Sequence, residues 1–374
     1  CAIVGAKAQR RVQIAGVAEH NVVVTSYDLM RRDIDEYVEQ DFARVVLDEA
    51  QYIKNPLTQV ARAAKRLPAG VRFALTGTPI ENRLSELWSI FDFLMPGLLG
   101  TRESFAKRFE SPVEHAEGDS AARLQALVSP FVLRRVKEDV VADLPEKIED
   151  TVMAQLTGEQ RKLYLANQDR IAQQVQHREA GEFKKDKLKV LAELTKLRQI
   201  CCDPRLHYED YKAGSAKLDT CMELVHGALD GGHRILLFSQ FTGMLDIIGK
   251  RLAKEDIAFL KLTGASSKES RAKMVAQFQA GEGLNLTAAD VVIHYDPWWN
   301  VAAQDQATDR AHRIGQQHTV TVYKLIAKDT IEERIMQMQE SKRDLVNSVL
   351  GGDGISSALF TREDVLALLG GDGR

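Results

Sequence analysis

The sequence predicts an α/β fold: two lobes of parallel sheet flanked by helices, joined by a helical segment. Three observations carry this. Short apolar runs end abruptly in small polar or acidic residues, as buried strands of parallel sheets do. Helix-length segments separate those runs, and alternating strand and helix implies parallel βαβ units. The same alternation returns near Ser215, after a charged and helical middle.

In the first lobe, Val22-Val23-Val24 runs into Thr25-Ser26-Tyr27 and reads as a strand. Val45-Val46-Leu47 runs into Asp48-Glu49-Ala50-Gln51 and reads as a strand buried on both faces. Phe73-Ala74-Leu75 ends in Thr76-Gly77-Thr78-Pro79, and the segment Gln59 to Arg66 between these two strands predicts a helix. Residues 81–94 predict an amphipathic helix with Leu84, Leu87, Trp88, Phe91 and Leu94 on one face, ended by Met95-Pro96-Gly97. From 101 to 214 the strand signal fades. Residues 158–190 read as one long polar helix or a helical pair, and the cluster Lys184-Lys185-Asp186-Lys187 within it as a solvated face. Ile235 to Phe241, with a polar end, Val291 to Asp296 and Val320 to Ile326 then predict three further strands. A helix is expected over 330–350, broken by Gly351-Gly352, and a short one around 361–369.

Composition narrows the function classes. A length of 374 residues suffices for two domains with their own cores. The net charge of −3 gives no overall attraction to nucleic acid, so any basic contact surface must be local. No apolar run approaches the roughly 18 residues of a membrane span, and no membrane partner is expected. The four cysteines, Cys1, Cys201, Cys202 and Cys221, form no CxxC pair and read as reduced thiols of a cytoplasmic protein.

Ligand sites in open α/β sheets lie just past the carboxyl ends of the strands. Asp48 and Glu49 stand at such an end. A carboxylate there can hold Mg²⁺ on a nucleotide's phosphates, and its neighbour can orient or deprotonate the attacking water. No further carboxylate or histidine cluster accompanies Asp48, which argues against a metal-dependent nuclease.

Taken in order, the strand ends resemble the Swi/Snf-type branch of the superfamily 2 helicase-like ATPases. Thr25-Ser26-Tyr27 resembles the early motif that touches a DNA strand, Asp48-Glu49-Ala50-Gln51 the Mg²⁺ and water motif, and Leu75 to Pro79 the motif coupling nucleotide state to DNA. Phe131 to Lys137 and Leu197 to Pro204 resemble family-specific segments. Ile235 to Phe241 is similar to the first motif of the second lobe. Gly283 to Asp290 with Asp296-Pro297-Trp298-Trp299-Asn300 resembles the fifth motif, and Gln306 to Gln316 the sixth. The wording of the first lobe looks most like bacterial members.

The resemblance implies two RecA-like lobes with ATP and Mg²⁺ between them. It gives residues 1–100 to the C-terminal part of the first lobe and 101–214 to a helical extension and linker. Residues 215–350 form the second lobe and 351–374 a tail. It makes Asp48 the Mg²⁺ ligand and Glu49 the residue that positions water. Arg310 and Arg313, three apart and expected on one helix face, become arginine fingers. Gln51, Thr76, Gly77, Thr78, Gly283 and Gln306 are implied at the nucleotide. Thr25, Ser26, Tyr27, Arg134, Arg135, Ser239, Gln240, Asn285 and Thr287 are implied at duplex DNA. Trp298 and Trp299 either brace the core or lie near DNA, and extended geometry favours the core. The implied activity is translocation on double-stranded DNA that remodels protein–DNA complexes, with DNA-bound proteins such as RNA polymerase or nucleoid proteins as partners. The implied place is the bacterial cytoplasm, at the nucleoid.

Two departures from the pattern set further expectations. No G-x-x-x-x-G-K-[ST] phosphate cradle is present, so the first lobe is expected to be incomplete. Phe278-Gln279-Ala280-Gly281-Glu282-Gly283 runs straight into Leu284-Asn285-Leu286, where the family carries another strand, so an internal shortening of the second lobe is expected. Val301 stands where the family usually has Pro. The competing readings are an ATPase motor whose isolated chain is impaired, an inactive DNA- or protein-binding remnant, and a strand-separating helicase.

Overall fold

The structure, a computed structural model, describes residues 1–77, 84–111, 120–133, 135, 144–176, 180–279, 287–338 and 362–370. Thr78, Arg134, Gly283, Asn285 and the expected shortening at 280–286 lie outside the described residues. These residues fall into two compact units, one within 1–133 and the other from 135 onward.

In the first unit, β1 (Arg44–Leu47) pairs parallel with β2 (Val71–Ala74), in a register that sets Val46 beside Phe73 and Leu47 beside Ala74. The helix Gln59–Arg66 is the crossover. The Thr58 hydroxyl accepts the Ala61 amide at 3.2 Å and so starts it, and Ala61, Ala63 and Ala64 are buried against the core. The expected strand at Val22–Tyr27 reduces to one parallel bridge, Ala2 with Val24. It stops there because Ser26 accepts the Leu29 amide at 3.3 Å and caps the helix Tyr27–Arg32.

β1 is not buried on both faces, as its apolar run suggests. The pleat turns Leu47 into a core with Ile14, Met30, Ile53, Ala64 and Phe93. It turns Val46 outward, 54% exposed, beside Phe73. Val71 and Leu75 are exposed as well, so the described residues cover only one face of this sheet.

The helix Leu84–Leu94 is apolar around most of its circumference and is buried on two sides. The predicted face, Leu84, Leu87, Trp88 and Phe91, packs with Leu99, Phe105, Phe109 and Leu124. Leu94, predicted on that face, packs instead with Ile90 and Phe93 toward the β1–β2 core.

The second unit holds a parallel four-stranded sheet in the order β3 (Lys147–Gln155), β6 (Val320–Lys328), β5 (Val291–His294), β4 (Ile235–Phe238). The last three strands are those predicted. β3 is not, and it corrects the reading of 101–214 as a helical extension and linker. It forms the sheet's edge, nearly all of it exposed, and it opens on Lys147, Glu149 and Asp150, so its short apolar run, Val152-Met153-Ala154, does not stand out as a buried strand would. Helices Gly158–Gln176 and Ala180–Cys202 form a pair, not one long helix. Tyr164, Ile171, Leu194 and Leu197 pack there with Ile331, Ile335 and the helix Arg362–Leu368. On one face of β5, Leu218, Cys221, Met222, Met244 and Ile248 pack against Ile293. The backbone expected to be helical over 330–350 is helical where described, over 331–338. No helix among the described residues is long and apolar enough to cross a membrane.

Candidate functional site

The carboxyl ends of β1 and β2 lie side by side, and their polar residues are joined. The Leu75 amide donates to the Leu47 carbonyl and the Ala50 amide to the Leu75 carbonyl, each at 2.8 Å. That clasp brings Gln51 next to Thr76. Gln51 Nε2 donates to Glu49 Oε2 at 2.6 Å, and Thr76 Oγ1 donates to Gln51 Oε1 at 2.9 Å. Glu49 is thus tied through one amide side chain to the turn after β2. Its backbone is left-handed, φ 52° and ψ 53°, a conformation that costs a non-glycine residue roughly 1–2 kcal/mol. Asp48 is exposed, and its Oδ1 accepts the Glu49 amide at 3.0 Å. Tyr27 OH donates to the Asp48 carbonyl at 2.7 Å and its ring lies 5.1 Å from that of Tyr52. Burial, with the charges of Asp48 and Glu49, raises the Tyr27 hydroxyl above the usual tyrosine range, so it stays a donor.

Among the described residues no three His, Cys, Asp or Glu side chains converge as a metal cage. Asp48 nonetheless fits Mg²⁺, which is commonly held by one or two carboxylates, water and phosphate oxygens. Gly77, just past Thr76, is exposed, and a Cβ there would meet nothing within 4 Å among the described residues. Thr25 and Ser26 are less available than their motif implies. The Thr25 hydroxyl is buried beside Tyr37, and Ser26 is occupied as a helix cap.

In the second unit the ends of β4 and β5 meet at Asp296, which is fully buried. Ser239 Oγ donates to Asp296 Oδ1 at 2.5 Å, and the Gln240 amide donates to Oδ1 and Oδ2 at 3.2 and 3.1 Å. Burial raises the Asp296 carboxyl above its usual range, against the opposing pull of Arg198 and the Ser239 bond. The Ser239 hydroxyl is therefore spent inward, while Gln240 is exposed. Thr287 is half-buried and Arg135 exposed. Trp298 and Trp299 are both half-buried, with Trp299 against the core of the helical pair.

Arg310 and Arg313 do not share a helix face. The helix Val301–Thr308 carries Gln306 on its exposed side and ends before them. The chain turns because two buried side chains staple it down: His312 Nε2 lies 2.8 Å from the Pro145 carbonyl, and Gln316 Nε2 donates to the carbonyls of Ala289 and Ala311 at 2.8 and 3.1 Å. Gly315 completes the turn at φ 99°. Both arginines are left exposed. Neither makes an ion pair among the described residues, so a surface ion-pair face does not explain them.

Asp296 and Arg198 are polar residues of this site to which the motifs gave no role. The buried-charge pattern that marks them is visible only in three dimensions.

Residues 1–206 match the SNF2-related domain and residues 216–315 the helicase conserved C-terminal domain. The putative ATP-dependent helicase/translocase YwqA of Bacillus subtilis is 39% identical over 367 residues, covering 92% of this chain and 39% of the relative. An uncharacterized ATP-dependent helicase of Mycoplasma pneumoniae is 37% identical over 363 residues, covering 93% of this chain and 34% of the relative. The chain thus spans little more than a third of these relatives' length. The solved SWI2/SNF2 ATPase core domain of Sulfolobus solfataricus is 36% identical, covers 94% of this chain and 75% of that one, and superposes with a TM-score of 0.50. On the order of its motifs, its parallel α/β units and these matches, the chain belongs to the Swi/Snf-type branch of the superfamily 2 helicase-like ATPases.

Proposed function

We propose that this chain is motor sequence of an ATP-driven translocase that moves along double-stranded DNA and displaces bound protein. The observation that carries the reading is the relay Glu49–Gln51–Thr76 beside Asp48. Glu49 is aimed and held by Gln51, so it orients the attacking water. Asp48 holds Mg²⁺, which supplies charge neutralisation on the phosphates. Gln51 and Thr76 carry any displacement at Glu49 to the turn after β2. The two exposed guanidinium groups, Arg310 and Arg313, supply the positive charge that a transferring phosphoryl group needs. Gln240 and Arg135 are assigned to duplex phosphates, whose contacts position a protein without reading sequence. Proteins bound on the same duplex, RNA polymerase or nucleoid proteins among them, are the load.

The test is ATP turnover by the full-length protein containing this chain, with and without blunt duplex DNA. Duplex DNA is expected to stimulate turnover, and Glu49→Gln to lower it by about 10²–10⁴-fold with nucleotide binding retained. Turnover that ignores Glu49→Gln overturns the assignment of the water. DNA binding without any turnover in the wild type makes the chain a binding module instead.

A further inference from the structure

Arg198 lies outside the strand ends, in the helix Ala180–Cys202, yet it touches both second-unit loops. Its side chain is only 2% exposed. Nη2 donates to Gln240 Oε1 at 2.9 Å and to the Pro297 carbonyl at hydrogen-bond distance. The guanidinium carbon lies 5.5 Å from the centre of the Phe241 ring and 5.1 Å from that of Trp299. Each loop therefore gives it one acceptor and one aromatic face: Gln240 and Phe241 after β4, Pro297 and Trp299 after β5. Asp296, 3.8 Å from Nη2, closes the set by binding Ser239 and the Gln240 amide. Arg198 Nε finds no acceptor among the described residues. A buried charged donor left unpaired is costly, and the side chain is held there by its other bonds. Only a planar, delocalised cation can stack on two rings and bond two loops at once; a lysine ammonium is a point charge.

We propose that Arg198 is a positioning residue: it clamps the loops after β4 and β5 to one helix and presents the Gln240 side chain to duplex DNA. The DNA half rests on the function proposed above; the clamp itself does not.

Arg198→Met, Arg198→Lys and Gln240→Ala in the full-length protein test both halves. Hydrogen–deuterium exchange without DNA reads the clamp alone. The amides of Gln240, Phe241 and Trp298, bonded to Asp296, Ser239 and Gln304, are expected to exchange about tenfold faster in Arg198→Met, with β5 amides unchanged. The duplex concentration giving half-maximal ATPase stimulation is expected to rise about tenfold in Arg198→Met and in Gln240→Ala. The double variant is expected to be no worse than Gln240→Ala. Should Arg198→Met not fold, Arg198→Lys, which keeps charge and bulk, is expected to show the same loop effects at smaller size. Loop exchange unchanged in a folded Arg198 variant overturns the clamp. Faster loop exchange with unchanged half-stimulation, or additive effects in the double variant, overturns the presentation of Gln240. A wild type that DNA never stimulates overturns the translocase reading, and the exchange data still decide the clamp.

Discussion

His294 is the last residue of β5 and is 1% exposed. Its Nε2 lies 2.8 Å from Thr308 Oγ1, and its ring stacks on Phe238. Burial, with the positive charge of Lys324, lowers its pKa to about 4. The folded protein keeps it neutral where the unfolded chain would take up a proton. Its contribution is thus complete above the ordinary histidine value, about 6.5. That stability is lost as pH falls toward 4. At pH 5 the loss is about 2 kcal/mol. Urea unfolding at pH 7 and pH 5 should show His294→Gln losing about 2 kcal/mol less than wild type across that interval; equal losses would show that His294 is not held neutral. At this scale the sequence was informative about carboxylates at strand ends, because a strand end is a place that periodicity finds. It was silent on backbone handedness at Glu49 and on the inward turn of Thr25 and Ser239. It misread Arg310 and Arg313 as helical, since three-residue spacing fits a helix and a stapled turn alike. Only the buried partners of His312 and Gln316 decide between them.

The helix Ala216–Asp230 is locked to the helical backbone at 331–338 by one ion pair. Lys217 Nζ lies 3.0 and 2.8 Å from the two Glu332 oxygens, and both side chains are fully buried. Burial alone would lower the Lys217 pKa; the charge and hydrogen bonds of Glu332, with Cys202 and Asp296 nearby, together outweigh it, and the ammonium sits above its usual value. Glu332 also accepts the Ala327 amide at 2.8 Å, at the end of β6. Removing one partner strands the other as a buried charge. Lys217→Met or Glu332→Gln should each cost about 3–5 kcal/mol in chemical unfolding, and the double variant clearly less than their sum. Strict additivity would mean that the pair does not act as one. Elements with an apolar signature were legible, including every strand of the second sheet but β3. That edge strand of lysine, glutamate and aspartate followed by a short apolar run is recognised by its partner β6, not by its own pattern.

At the scale of the molecule, the described residues of the first unit leave one face of its sheet open, with Val46, Val71, Phe73 and Leu75 exposed among them. Contiguous apolar surface of this kind marks a contact face or an aggregation site. The 374-residue polypeptide on its own should bind a hydrophobic dye. Val46→Thr with Phe73→Thr, which keep strand-compatible shapes, should cut that fluorescence by about half or more without lowering the melting temperature. Unchanged fluorescence would put the dye elsewhere. In the second unit β3 and β6 are partners across a long stretch of chain: Lys324 bonds Glu149, 175 residues earlier. On a ribosome adding about 5–20 residues per second, β3 would wait roughly ten to thirty seconds for its neighbour. During that interval its edge has no mate and its sheet cannot close. The exposed, charged face of β3 then serves biosynthesis as well as the finished fold, because a strand bristling with lysine and carboxylate is a poor template for the wrong partner.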